Sequence, residues 1–269
     1  MTTRKTQRLY MPMEHMPAQN GRLDSGGVIE PTDSQMHYLI SVLRLKDGAE
    51  IRVFNENDGE FLARIVSVSR KKITLHLAEQ IKPPVIEPET ATETATETAT
   101  NRSVTLAFAP IRRQRMEAMI EKATECGVTT LAPVLTAFTQ SPHVNLERLR
   151  LIATEAAEQS ERMSVPHLLK PQKLHDFCAG LGTQEMIFCD EAQAGQADAH
   201  MLSFLQHRKN HQKPDRPSII LIGPEGGFSD QETRFLLDQT GIHGVSLGSN
   251  ILRSDTAAIL ALGLWQASL

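Results

Sequence analysis

Hydrophobic and polar positions change their period twice along the chain. Met36, Leu39, Ile40 and Leu43 recur at helical spacing, and Pro31 with Asp33 opens a helix expected over Ser34 to Leu43. The period then falls to two. Ile51 to Phe54, Phe61 to Val68 and Ile73 to Leu77 read as short strands joined by turns at Asp58–Gly59 and Arg70–Lys72. A compact β-barrel would close the edges that such a meander leaves open. After Arg102 strands and helices alternate. The expected strands are Val104 to Ala109, Val128 to Leu135, Met186 to Cys189, Ser218 to Gly223 and Val245 to Leu247. The expected helices are Gln114 to Cys126, Leu146 to Ser160, Ala199 to Gln206, Asp230 to Gln239 and Asp255 to Ala267. This alternation predicts an α/β unit with a mainly parallel sheet covered on both faces, whose ligands bind beyond the carboxyl ends of the strands.

Between the two patterns lies PPVIEPETATETATETAT, residues 83 to 100. Its near absence of large apolar side chains predicts a flexible linker dividing two domains. The linker also decides how charge is read. The chain has 28 basic and 32 acidic residues, net −4, which argues against a nucleic-acid partner until Glu87, Glu89, Glu93 and Glu97 are set aside. The remaining 28 acids balance the 28 basic residues, so the overall sign excludes nothing. No apolar run approaches the ~20 residues of a membrane span, and the N-terminus lacks the apolar core of a signal peptide, so a cytoplasmic protein is expected. Cys126, Cys178 and Cys189 are odd in number and far apart, as suits reduced thiols. His207 and His211 lie in the polar run QHRKNHQKPDRP and read as solvated surface, so no metal is expected.

The chemistry concentrates between Ser218 and Asp255. The buried strand ending in Leu221 and Ile222 runs into Gly223, Pro224, Glu225, Gly226 and Gly227. No Lys followed by Ser or Thr comes after this turn, so it is not a P-loop, and its glycines do not match G-x-G-x-x-G. What remains is a turn whose backbone can approach a flat ligand, with the Glu225 carboxylate at its centre. Ser229 and Glu232 have capping-box spacing and start a helix at Asp230. A second turn follows: Leu247, Gly248, Ser249, Asn250, Ile251 and Leu252, then Arg253, with Ser254 expected to cap a helix carrying Asp255 in its first turn. Arg253 suits either a carboxylate partner or the stabilisation of negative charge in a pocket. Arg44, Lys46, Arg70, Lys71 and Lys72 sit at turns of the first unit, either as solvated charges or as a phosphate-contacting rim.

LIGPEGGFSDQE followed by LGSNILRSDTAA resembles the SPOUT (α/β-knot) methyltransferases, in particular the bacterial 16S ribosomal RNA (uracil-N3)-methyltransferases. HYLISVLRLKDG at 37 to 48, KATECGV at 122 to 128 and AAEQSERMSVP at 156 to 166 resemble further motifs of that family, in its order. The resemblance implies a PUA-like β-barrel RNA-binding domain over 1–82, the linker over 83–101, and a trefoil-knotted SPOUT domain over 102–269. It implies a homodimer that binds S-adenosyl-L-methionine through Leu221 to Gly227 and through Leu247, Gly248, Asn250, Ile251 and Leu252. It further implies methylation of N3 of a uridine in 16S ribosomal RNA of the small ribosomal subunit, with Gln159, Ser160 and Arg162 as RNA or dimer contacts and Arg8 reaching RNA likewise, beside Arg44 and Lys71 of the phosphate-contacting rim.

The sequence departs from the family's pattern at Asn250 and Gln140, where the family commonly has arginine, at Asp255, where it has glutamate, and at Cys126, where it has leucine. Methyl transfer from a sulfonium is an in-line displacement governed by positioning. Arg253 is the expected partner for charge developing on the uracil, and Asp255 is either the general base or merely a complement to the helix N-terminus. Two other functions stay open on the residues alone. One is a knotted RNA-binding protein without transferase activity; the other is a small-molecule enzyme using the same pocket for a nucleotide.

Overall fold

In a computed structural model of the chain, the described residues are 6–12, 22–69, 72–84, 103–190, 200–210 and 219–268. Lys71, His211 and all of the expected linker except Pro83 and Pro84 lie outside them. The chain divides into two units, Met1–Glu87 with Ala157–Ser164, and Pro88–Ala156 with Val165–Leu269. The return of Ala157–Ser164 to the first unit is absent from a linear division of the sequence.

The first unit contains β1 (Arg8–Tyr10), β2 (Val28–Ile29), α1 (Asp33–His37), β3 (Glu50–Asn55), β4 (Gly59–Ser69) and β5 (Lys72–Lys82). The strands hydrogen-bond in the order β1-β3-β4-β5-β2. Among the described residues no ladder joins β1 to β2. Period-two burial holds: Ile51 and Val53, Phe61, Ala63 and Ile65, and Ile73, Leu75 and Leu77 fill one core with Leu9, Met11 and Leu39. Gly59 makes the β3–β4 turn possible. Its φ is +97°, and a Cβ there would stand 2.3 Å from the Lys82 carbonyl oxygen.

The helix expected over Ser34 to Leu43 is two elements. Thr32 and Gln35 form a capping box that starts α1, and the chain then widens to a π-helical turn over Tyr38–Val42. It leaves that turn through Arg44 at φ +54°.

The second unit contains β6 (Thr105–Phe108), α2 (Arg113–Glu125), β7 (Thr130–Leu135), α3 (Leu146–Gln159), β8 (His167–Leu168), β9 (Gln172–Lys173) and α4 (Leu174–Ala179). It continues with β10 (Met186–Cys189), α5 (Met201–Asn210), β11 (Ile219–Ile222), α6 (Asp230–Leu237), β12 (Ile242–Val245) and α7 (Ser254–Ala267). The sheet order is β12-β10-β11-β6-β7-β8, with β9 beside β7, and every pairing is parallel. The charge-free run of β11 has the expected physical cause. Ile220 and Ile222 pack into one apolar cluster and Ile219 and Leu221 into another, so the strand is buried on both faces. Ala257, Ala258, Ala261, Leu262 and Trp265 turn one face of α7 into the first of these clusters.

Candidate functional site

The carboxyl ends of three neighbouring strands, β12, β10 and β11, open onto one cleft of about 600 Å³ including its mouth. Cys189 and Asp190 come from the end of β10, and Ile222, Gly223, Pro224, Glu225, Gly227 and Phe228 from the end of β11. Leu247, Asn250 and Leu252 come from the segment after β12, and Ser254 and Ala257 from the start of α7. This is where ligands of parallel α/β sheets bind, because loops there diverge from the sheet and leave backbone groups accessible.

Both turns are held by their own hydrogen bonds. The Gly227 amide donates to the Pro224 carbonyl (3.0 Å), and Gly227 has a φ of +69° that favours glycine. Gly223 is tightly packed, since a Cβ would lie 3.0 Å from the Phe228 ring. The expected capping box is present: the Ser229 amide donates to Glu232 Oε2 (3.0 Å) and the Glu232 amide to Ser229 Oγ (3.3 Å). The other Glu232 oxygen accepts the Ala137 amide (2.7 Å), which ties the loop after β7 to the start of α6. In the second turn, buried Ser246 accepts the Gly248 amide (3.1 Å) and donates to the Gly248 carbonyl (2.9 Å), while Gly248 holds a φ of +133°.

Eight of the twelve residues expected to bind the cofactor line the cleft: Ile222, Gly223, Pro224, Glu225, Gly227, Leu247, Asn250 and Leu252. Leu221 does not, because strand alternation turns its side chain into the opposite core, where it is fully buried. Gly226 lies against Phe138, Gly248 shapes the turn from behind the lining, and Ile251 is 77% exposed. Arg253, not Ser254, occupies the N-cap position of α7, with no side-chain cap bond. Ser254 is the first helical residue and is buried. Arg253 is exposed. Asp255 sits in the first turn, and its Oδ1 is buried without a hydrogen-bond partner among the described residues. A carboxylate at a helix N-terminus is favoured by the exposed amides, which lowers the cost of leaving that oxygen unpaired.

Cys189, Asp190, Phe228, Ser254 and Ala257 were missed by sequence reasoning. Cys189 and Asp190 had a usable signal, since they end a predicted parallel strand. Cys189 is partly buried in the cleft wall, and burial pushes its thiol up to about 12. It is therefore neutral at physiological pH and serves as wall, not nucleophile.

The expected RNA contacts divide. Arg44 is exposed, as is Gln159 at the end of α3. Burial pushes the half-buried Arg162 down to about 10. Arg8 must be corrected, because it is 2% exposed inside the first unit. The parallel register sets Arg8 beside Arg52, and both pair with Glu60 on β4. Arg8 Nε donates to Glu60 Oε1 (2.7 Å), while Arg52 and Lys82 approach the same carboxylate at 3.3 and 3.0 Å. The remaining Arg8 donors reach the carbonyls of Ala157 (3.0 Å) and Arg162 (2.8 Å), and its guanidinium stacks 3.9 Å from the centre of the Phe54 ring. Arg8 thus anchors the Ala157–Ser164 segment, and its charge is already satisfied by protein.

Among the described residues no group of three or more His, Cys, Asp or Glu side chains has the geometry to hold a metal ion. Likewise, no helix there is long and apolar enough to cross a membrane.

The parallel sheet and its strand-end cleft are those of a methyltransferase domain: residues 98–266 match the family model of the RNA methyltransferase domain, and residues 31–78 that of the RNA methyltransferase PUA domain. Among relatives, the Ribosomal RNA small subunit methyltransferase E of Rickettsia conorii is 34% identical over 90% of this chain and 91% of its own length. Its namesake from Synechocystis is 32% identical over 86% of this chain and 70% of its own. A Legionella pneumophila protein solved in complex with the bound cofactor SAM superposes with a TM-score of 0.77 at 28% identity, covering 98% of both chains. The chain belongs to the ribosomal RNA small subunit methyltransferase E family.

Proposed function

We infer that the protein transfers a methyl group from S-adenosyl-L-methionine to N3 of a uridine in 16S ribosomal RNA. The observation that carries this reading is the cleft at the ends of β12, β10 and β11, in a chain whose relatives carry the small-subunit methyltransferase name. The donor set fits the cofactor. Ile222, Leu247, Leu252 and Ala257 offer apolar walls to an adenine ring, the glycine turns expose backbone amides and carbonyls, and Glu225 and Asp190 offer carboxylates to hydroxyl or ammonium groups. When bound, S-adenosyl-L-methionine supplies an electrophilic methyl group on a sulfonium.

The chain's own residues then have three tasks. The two turns fix the cofactor's orientation for in-line attack. Arg253, exposed at the start of α7, stabilises the negative charge that develops on the uracil N3 and its flanking carbonyl oxygens as the imide proton leaves. Asp255, one helical position past Ser254 with an unpaired buried oxygen, accepts that proton. Arg44, Lys71, Gln159, Ser160 and Arg162 are proposed to meet the RNA, with the first 82 residues as the RNA-holding domain and 83–101 as the linker.

The second unit is further proposed to be trefoil-knotted, a reading supported by its non-sequential all-parallel strand order. A cytoplasmic homodimer is the proposed working form. Ile259 and Leu260, 36% and 38% exposed on α7, support a second copy against that face.

Two measurements test the reading together: calorimetry with S-adenosyl-L-methionine, ATP and NAD, and incubation with labelled cofactor and small subunits from a strain lacking this methylase. Binding of S-adenosyl-L-methionine alone, with label entering 16S RNA, is expected. Preference for a phosphate-bearing ligand, or no label in RNA, would overturn it.

A further inference from the structure

Of the nine phenylalanines, two tyrosines and one tryptophan, only Phe138 reaches the surface as an exposed side chain, at 50%. Its position is fixed on both sides. The Thr136 amide donates to Thr139 Oγ1 (2.8 Å) and the Thr139 amide to the Thr136 carbonyl (3.1 Å), while the Ala137 amide is held by Glu232 (2.7 Å). The ring's Cβ lies against Gly226, where an added Cβ would stand 3.4 Å away, and Gly226 separates the lining residues Glu225 and Gly227. A short, hydrogen-bonded loop thus holds a bare phenyl ring at the rim of the cleft.

A phenyl ring offers no hydrogen bond, so what it recognises must be apolar or present a π face. The neighbouring Ala137, Gln140 and Glu225 are exposed but small or polar, so the ring does not continue into the broad apolar patch that a protein partner would need. A base that is to react at a cleft must leave its stack, and unstacked bases are recognised by stacking on aromatic side chains. We propose that Phe138 is a substrate-positioning platform on which an unstacked base of the RNA stacks while the target reaches the cleft. The proposal rests on the methyltransferase reading and adds a residue to it.

The test compares the full-length wild type with Phe138→Leu, Phe138→Ala and Phe138→Trp. It measures kcat and KM for methylase-free small subunits and the calorimetric Kd for S-adenosyl-L-methionine. Loss of one base–aromatic stack predicts that leucine and alanine each lower kcat/KM for the subunit by about tenfold or more, chiefly through KM. Tryptophan should stay within about threefold of wild type, and the cofactor Kd of all variants within about twofold. Leucine matching wild type would overturn the proposal, because apolar bulk without a π face would then suffice. So would a loss explained by weaker cofactor binding. If the wild type itself labels no RNA, the methyltransferase reading fails and this inference with it; a labelling wild type beside an unaffected leucine variant removes the inference alone.

Discussion

Replacing Glu232 by alanine removes one carboxylate that holds two segments together. In the wild type, Oε1 accepts the Ala137 amide at 2.7 Å, and Oε2 accepts both the Ser229 amide and the Ser229 hydroxyl at 3.0 Å. The side chain is 8% exposed, so these bonds form largely away from water. A hydrogen bond to a charged group contributes about 1.5–3 kcal/mol. Ala137 is exposed and Ser229 half-buried, so water can reach the freed donors, which cuts each of the three losses to about 1 kcal/mol and puts the total at about 3 kcal/mol. For a unit of this size that corresponds to a fall in Tm of roughly 6–12 °C. Glutamine can still accept at one oxygen but must turn its amide nitrogen toward one of the backbone donors, so Glu232→Gln should lose about half as much. Thermal and urea unfolding of the full chain measure the effect. Both anchored segments flank the cleft, so affinity for S-adenosyl-L-methionine should fall as well. An alanine variant within about 0.5 kcal/mol of wild type would refute the claim that this carboxylate fixes the loop.

Other outcomes follow from the same structure. Glu60→Ala should destabilise the first unit by about 3–5 kcal/mol in urea, because it strands the buried Arg8 guanidinium; a loss below about 1 kcal/mol would mean that water replaces the carboxylate. Its neighbour Glu161 is held down to about 2 by a hydrogen bond from Arg52 and by that residue's charge. Because this folded-state value lies below the ordinary 4.5, the stabilisation is present above about pH 4.5 and disappears as the pH falls through about 2. The side chain is 42% exposed, so the effect is small, and the stability difference between wild type and Glu161→Gln should shrink from pH 6 to pH 3. Cys189 should react slowly with a thiol-modifying disulfide at pH 8 and faster once the chain unfolds, whereas rapid labelling of the native protein would contradict a neutral thiol.

Local physics was readable in the sequence wherever one short stretch decided the outcome. Met186–Cys189 was bounded as found, and the Ser229–Glu232 spacing placed the start of α6 at Asp230. Strand β12 was displaced in the reading, to Val245–Leu247, because His243 and Gly244 hide its apolar pattern. A Cβ at 244 would stand 3.1 Å from the Phe188 ring, a tight contact that favours glycine. Strands β2, β8 and β9 have two residues each, too few to show a period. The reading of Arg8 failed for a different reason. Its partner Glu60 is 52 residues away, and the carbonyls of Ala157 and Arg162 are about three times farther along the chain, so only the fold reveals that its charge is spent internally. In the cleft, turn residues were legible from glycine spacing, but Leu221 and Ile251 were not separable from lining residues, because side-chain direction depends on the strand register and the turn's path.

The central claim is most directly tested by the nucleoside that the protein makes. Small subunits from a methylase-lacking strain are incubated with labelled S-adenosyl-L-methionine and either wild type or Arg253→Ala, and the digested 16S RNA is resolved by chromatography and mass spectrometry. The account predicts label in N3-methyluridine at a single position with the wild type, and a turnover about 10²–10³-fold lower with Arg253→Ala at unchanged cofactor affinity. Label in a different nucleoside, or near-normal turnover by the variant, would contradict it.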